Sequence, residues 1–268
     1  MTAVALALAP LSLHRPPPAD LVKAAAAAGY TDVGLRLALP SGVLAAECTD
    51  GGARRALRGL LDDEGVGVLE ISNVELAPDF DPDSMRPLVE TCVELGAKFL
   101  QVVDWDPERE RAVENLGRVS ELTADAGIRI GFEFMPYTSA RSLDDAQALL
   151  SGLDPGHAGI VFDALHFVRS GGVVDSLQEV EAGQVAFVQL CDASAEAPPP
   201  DRLRQEAIGD RLPPGHGALP LRDIMRALGP RVPISIEAPC RGLADLPAEE
   251  QARILHSATS NFLEGLFD

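Results

Sequence analysis

Asp163 closes the apolar run Gly159-Ile160-Val161-Phe162-Asp163, and His166 follows three residues later. Side chains alternate along a strand, so Ile160 and Phe162 share one face while Gly159, Val161 and Asp163 share the other. An ionised carboxylate at the end of so apolar a run is costly without a cation or a set of donors to compensate it. Taken alone, Asp163 reads equally well as the cap of the turn that follows. Three further segments end in the same way, however. In RIGFEF (Arg129–Phe134) Glu133 shares a face with Gly131; in VAFVQL (Val185–Leu190) Gln189 shares one with Val185 and Phe187; in PISIE Glu237 shares one with Pro233 and Ser235. Strand ends carrying Glu133, Asp163, Gln189 and Glu237 to one height would converge four oxygen ligands on a point. Three carboxylates gathered there repel one another and raise each other's pKa unless a cation sits among them. An all-oxygen set suits magnesium or manganese better than zinc. The alternative is four separate strand-end caps.

A divalent cation between two glutamates suits proton abstraction next to a carbonyl, because it polarises the carbonyl and a neighbouring hydroxyl and so favours an enediolate. If one glutamate removes the proton and the other returns it, the outcome is isomerisation or epimerisation. Glu133 and Glu237 are the candidates, with the order between them open. If the enolate expels a β-hydroxyl instead, the same site is a dehydratase, with His166 as acid or substrate clamp. Arg211, in a long loop, and Arg36, at the exit of the second strand, are candidates for holding a substrate anion; each also reads as a solvated arginine. Trp105 and Met135-Pro136-Tyr137 can wall a pocket or pack a rim. His14 is placed to reach the mouth from the first strand, and Cys191 and Cys240 read as inert thiols.

Such a constellation needs strands that all end on one side. Strands are expected at Val4–Leu8, Asp32–Leu37, Val66–Ile71, Phe99–Val103, Arg129–Phe134, Gly159–Asp163, Val185–Leu190 and Ile234–Glu237. Helices are expected at Pro18–Ala28, Asp50–Glu64, Asp83–Leu95, Pro107–Ala126, Ser142–Leu150, Asp175–Val180, Leu221–Leu228 and Pro247–Phe267. Proline in the first turn and glycine past the end punctuate several of them. Eight βα units over 268 residues predict a single α/β domain, a closed (β/α)8 barrel over 1–268. An open doubly wound sheet would place a Gly-rich phosphate turn after the first strand, where this chain reads Leu8-Ala9-Pro10-Leu11-Ser12. The long segment 192–220 is expected over the C-terminal mouth, where barrel active sites form.

The remaining bulk properties narrow the function. A formal net charge of -19, with no basic run, disfavours nucleic acid and anionic membrane surfaces as partners. Apolar residues amount to 46%, enough for a sizeable core. The four cysteines lack a CxxC pair and fit reduced thiols in the cytoplasm. The opening MTAVALALAPLSLHRPPP lacks a basic stretch before its apolar run and reads as a first core strand rather than a secretory leader.

The segments GFEFMPYTSARSLDDAQALL, GIVFDALHFVRSGG, VAFVQLCDA, DRLPPGHGALPLRDIM and ISIEAP together resemble the xylose-isomerase-like TIM-barrel family, the sugar phosphate isomerases/epimerases. The likeness covers roughly residues 129–240; the first half shares the βα rhythm. It implies a divalent metal, manganese first with magnesium or cobalt as alternatives, held by Glu133, Asp163, Gln189 and Glu237, and a substrate contact from His166. The expected substrate is a small hydroxy-ketone or sugar, with a homodimer left open. In the isomerases and epimerases the seventh-strand ligand is usually His, so Gln189 departs from that pattern. Gln within FVQ-x-x-DA, and an arginine ahead of PG-x-G, resemble bacterial 3-dehydroshikimate dehydratases, which would give Arg211 a substrate role. The third-strand exit, Ser72-Asn73-Val74-Glu75, lacks the arginine expected there for a substrate carboxylate. A metal-dependent dehydratase of a keto-polyol such as 3-dehydroshikimate or an inosose is therefore the second reading, and a ligand-binding barrel without turnover is the third.

Overall fold

The computed structural model describes residues 5–39, 42–181 and 183–267. Eight parallel strands close on themselves in chain order, β1 through β8, with β8 paired back to β1. They are β1 (Leu6–Leu8), β2 (Asp32–Arg36), β3 (Gly67–Leu76), β4 (Phe99–Asp104), β5 (Arg129–Glu133), β6 (Ala158–Asp163), β7 (Val185–Leu190) and β8 (Ile234–Ile236). Helices stand between them: α1 (Pro18–Ala28), the short α2 (Ala46–Thr49), α3 (Gly51–Glu64), α4 (Arg86–Leu95), α5 (Arg109–Ala124), α6 (Leu143–Leu150), α7 (Ala164–Arg169), α8 (Leu203–Gly209), α9 (Leu221–Leu228) and α10 (Ala248–Leu263). The (β/α)8 barrel expected from the alternation is the observed fold. Val4, expected in the first strand, lies outside the described residues.

Local chemistry sets most boundaries. The Asp50 carboxylate accepts from Gly52 N at the start of α3, and the Ser142 hydroxyl accepts from Asp145 N at the start of α6. Each satisfies a backbone donor that the helix leaves open. The core has two layers. Outward strand residues such as Phe132, Ile160, Phe162 and Ile236 pack against the helices, while Ala7, Leu69, Phe99, Val161, Ala186 and Phe187 fill the barrel interior. Ala186 joins the interior set, against its expected outward placement, where the β6–β7 register passes from Ile160↔Val185 to Val161↔Phe187 and skips it.

Three departures from the expected elements affect the mouth. β3 runs on to Leu76 because Val74–Leu76 pair with β4 after a register shift, leaving Ser72 and Asn73 at the mouth cavity. The strand after Pro233 ends at Ile236, one residue before Glu237, although Glu237 N still donates to Leu190 O. The helix after β6 begins at once, as α7, and Val174–Glu179 is a 3-10 segment. The reason is Asp163 itself: its Oδ1 accepts from His166 N at 2.9 Å and starts a helix where a turn was expected.

Candidate active site

Strand pairing gathers the oxygen-bearing strand ends at one side of the barrel, with Glu133 two residues behind Asp163 in register and Glu237 two residues beyond Gln189. Asp163 pairs with Gln189, Gln189 with Ser235, and Glu133 with both Val103 and Val161. Glu133, Asp163 and Gln189 are buried, and Glu237 is largely so. Glu133 Oε2 accepts from Gln101 Nε2 at 2.7 Å, so β4 orients the β5 carboxylate. Gln101 has no chemistry of its own to mark it in the sequence; only its place on the adjacent strand does so. Among the described residues, Glu133, Asp163 and His166 bring their ligand-type atoms within 4.8 Å of one another. His166 Nε2 stands 3.7 Å from Glu133 Oε1, too far for a direct hydrogen bond.

The cation that the clustered carboxylates demanded is partly supplied by the chain. Arg211, 1% exposed, lies between Asp163 Oδ2 (2.6 Å from Nη1) and Glu237 Oε2 (3.1 Å from Nη2). It is locked by donation from Nε to Ala207 O and from Nη1 to Glu237 O. Asp163 therefore combines the two readings made of it: it caps α7 and belongs to the cluster. With about four lone-pair sites on its oxygens, two donors leave it room for another partner.

The electrostatics are uneven. Burial, reinforced by the charges of Glu237 and Asp163, holds the Glu133 carboxyl well above the usual range. Burial and Asp163 also raise Glu237, against the pull of Arg211, Arg15 and Arg36. Asp163 is driven up by burial, but Arg211 and the His166 backbone donor outweigh this and leave it low. Burial pushes His166 down to about 4, so the imidazole is neutral near pH 7. One guanidinium thus faces three carboxylates, and the Gln189 side-chain oxygen is buried with no hydrogen-bond partner while its amide nitrogen donates to Glu237 at 3.3 Å. Excess negative charge and an orphaned neutral oxygen together suit a divalent cation, and these residues can hold one.

Above the cluster opens a cavity of about 340 Å³. Its walls include Trp105 and Tyr137, with ring centres 6.4 Å apart, and Tyr137 stands edge-on to His166. Arg36 and Arg211 line it as expected, and the long loop contributes Arg204, Ala207 and Ile208. Arg204 lies over the Trp105 ring at 5.9 Å. His14 is exposed and does not line the cavity, whereas its neighbour Arg15 does. The His14–Arg15 pair sits at φ 57° and 61°, and no side-chain pattern in the sequence announces that turn.

Asp192 holds the loop in place. Its Oδ1 accepts from Ala193 N and Leu219 N, its Oδ2 from Gly215 N and Gly217 N, and its backbone pairs with Leu212. Arg169 ties α8 to α7 through Glu206 and Ser194 O.

A closed parallel barrel with an acidic, oxygen-rich cluster at its C-terminal mouth defines a known class of fold. The chain belongs to the xylose isomerase-like TIM barrel family, whose profile matches residues 22–258. The inosose isomerase of Bacillus velezensis is 27% identical over 153 residues, covering 53% of each chain, so the match spans about half the length of that relative. The structure of the IolI protein with a bound zinc atom superposes with TM-score 0.84 at 19% identity, covering 99% of this chain and 100% of that one. The probable 3-DHS dehydratase AsbF of Bacillus anthracis superposes with TM-score 0.73 at 17% identity, covering 96% and 98%. At such identities the two structures speak for the fold alone. Among the described residues, no helix is long and apolar enough to cross a membrane.

Proposed function

We propose that this chain is a divalent-metal-dependent isomerase or epimerase of a small hydroxy-ketone or sugar, acting by proton transfer next to a carbonyl. The observation that carries the reading is the pair Glu133 and Glu237, two carboxyls lining one cavity, both raised above the ordinary range by burial and by other carboxylates. Burial and neighbouring carboxylates favour the protonated form of both, and two such carboxyls facing one substrate can give and take a proton. Glu133, Asp163, Gln189 and Glu237 would hold the metal, with manganese as the first expectation. The bound cation would supply Lewis-acid polarisation of a carbonyl and its neighbouring hydroxyl. Glu133 and Glu237 shuttle the proton between adjacent carbons. His166, neutral and buried, donates to a substrate oxygen; Trp105 and Tyr137 exclude water; Arg211 keeps Asp163 ionised and holds Glu237 in line. Likeness to an inosose isomerase supports the isomerase over a barrel without turnover.

A second reading, dehydration of a cyclic keto-polyol, rests on Gln189. Its amide oxygen is a neutral ligand at the position where His is usual in the isomerases, and this matches the dehydratase-like motif around it.

The test is incubation of manganese-loaded and chelator-stripped protein in heavy water with ketoses, inososes and 3-dehydroshikimate, read by mass spectrometry. Metal-dependent deuterium uptake at constant formula is the expected result. Metal-dependent loss of water would favour the dehydratase. Neither outcome, together with no rebinding of metal, would overturn both.

A further inference from the structure

The mouth of this strongly acidic protein is lined by four arginines, Arg15, Arg36, Arg204 and Arg211. Two have partners within the fold: Arg211 pairs with Asp163 and Glu237, and Arg204 covers the Trp105 ring. Arg15 and Arg36 do not. Among the described residues neither guanidinium is in an ion pair. They are close enough to repel, since the charge of Arg15, after burial, lowers the pKa of Arg36. Glu75 and Glu237 line the same cavity, and their charges favour the cationic form of Arg36.

Two unpaired cations lining one cavity form an unfavourable arrangement until an anion lies between them. Their backbones come from separate elements. Arg36 ends β2, and Arg15 follows the 3-10 turn after β1, held by donation of its N–H to Pro10 O. Both act on Glu237, so an anion placed between them would sit on the β1–β2 side of the mouth, next to Glu237 and across from Glu133 on β5.

We propose that Arg15 and Arg36 form an anion subsite, and that the substrate is a small polyhydroxy ketone carrying one oxyanion group. This rests on the reading of the floor as the reacting site, and it narrows the substrate class. The planar fork of each guanidinium matches a carboxylate or a phosphate monoester, and two forks can hold the same group from two sides. The neutral inosose named for the similar relative would leave both arginines unsatisfied.

Binding of three probes to the manganese-loaded chain tests this by calorimetry: quinate as a hydroxy acid, inorganic phosphate, and uncharged myo-inositol. The expected result is that at least one anionic probe binds about tenfold or more tighter than myo-inositol. Arg36→Gln and Arg15→Gln should each weaken binding of that anionic probe by about tenfold, as for a lost charge-assisted hydrogen bond, and leave myo-inositol binding unchanged. Quinate leading would identify a carboxylate, phosphate leading a phosphate ester. Arg36→Lys, which keeps the charge but loses the fork, should retain part of the preference and guards against misfolding of the Gln variant. Anionic probes binding no tighter than myo-inositol, or a preference that survives in the double variant, would overturn the proposal. Metal binding and solvent deuterium exchange in the wild type report on the reaction separately. Their loss would remove the proposed function, whereas loss of the anion preference alone would remove only the subsite.

Discussion

Arg211 Nη1 lies 2.6 Å from Asp163 Oδ2, deep in the mouth, on a side chain whose backbone belongs to a loop 48 residues further along the chain. The loop therefore supplies to the strand cluster the charge that makes the cluster tolerable. Two ionic partners in so buried a place are costly to separate, because the survivor is left as an uncompensated charge.

Arg211→Met is expected to lower stability by about 3–5 kcal/mol in the chelator-stripped protein. Part of that loss should return on adding manganese, since a divalent cation would compensate the same carboxylates. Thermal melts with and without metal measure both effects. A variant that melts like the wild type in both conditions would contradict the role of Arg211 at the floor.

Gln189→Leu removes the orphaned oxygen and leaves the strand core intact. Manganese affinity, read by calorimetry, is expected to fall by about 10- to 100-fold, the cost of losing one ligand-grade hydrogen-bonding group to a charge. Gln189→His should instead shift selectivity towards zinc, which prefers imidazole.

Glu133→Gln and Glu237→Gln should each cut turnover by about 10²–10⁴, the range for a general acid or base. Deuterium exchange in a single half-reaction separates the two, because the variant that retains exchange without net conversion lacks the returning acid. Glu133→Gln is also expected to raise the melting temperature of metal-free protein, since the buried carboxyl is held well above its usual range by burial and by Glu237 and Asp163.

Glu70, 0% exposed in the barrel interior, accepts from Ser235 Oγ at 2.8 Å, and its Oε2 has no partner. Burial raises it to about 8. A carboxyl whose folded value exceeds its unfolded value favours the fold fully below the unfolded value of about 4.5. That contribution declines as pH rises and is gone above about 8, for a total of several kcal/mol, on the order of 1.4 per unit. Denaturation midpoints should therefore fall between pH 5 and 9 by more in the wild type than in Glu70→Gln. Equal slopes would show that Glu70 does not govern the alkaline limb.

Gly217→Ala addresses the loop. A Cβ there would stand 2.2 Å from Ala193 O and 2.5 Å from Asp192 Oδ1, against the carboxylate that gathers four backbone donors. A loss of about 2–3 kcal/mol is expected, with reduced turnover because Arg211 rides on the same loop. Melting and kinetics on the one variant check both.

Much of this architecture was legible in the residues. Alternating apolar runs and glycine or proline punctuation identify eight strands and seven of the helices, because burial on two faces and helix termination are local requirements that a sequence states directly. The short α2, α7 and α8 were not expected, and the helix expected at Asp175–Val180 is the 3-10 segment Val174–Glu179. The same alternation assigns Glu133, Asp163, Gln189 and Glu237 to the inward face, since the two-residue period leaves a strand residue only two directions. Arg36, Trp105 and Tyr137 at strand exits follow from the rule that barrel mouths are built from those exits.

The partners were not legible. Gln101 orienting Glu133 depends on the β4–β5 register, Arg211 entering the carboxylates depends on the fold of the loop around Asp192, and Arg15 displacing His14 at the mouth depends on two left-handed residues. Each is a pairing between groups far apart in the chain, or a backbone turn that many side chains permit. Sequence alone determined which residues face inward at the C-terminal ends of the strands, because alternation is a property of each strand by itself. Tertiary structure alone decided which charges meet there, because the distance between two side chains from different elements is set by barrel closure and loop packing, and electrostatic interaction depends on that distance.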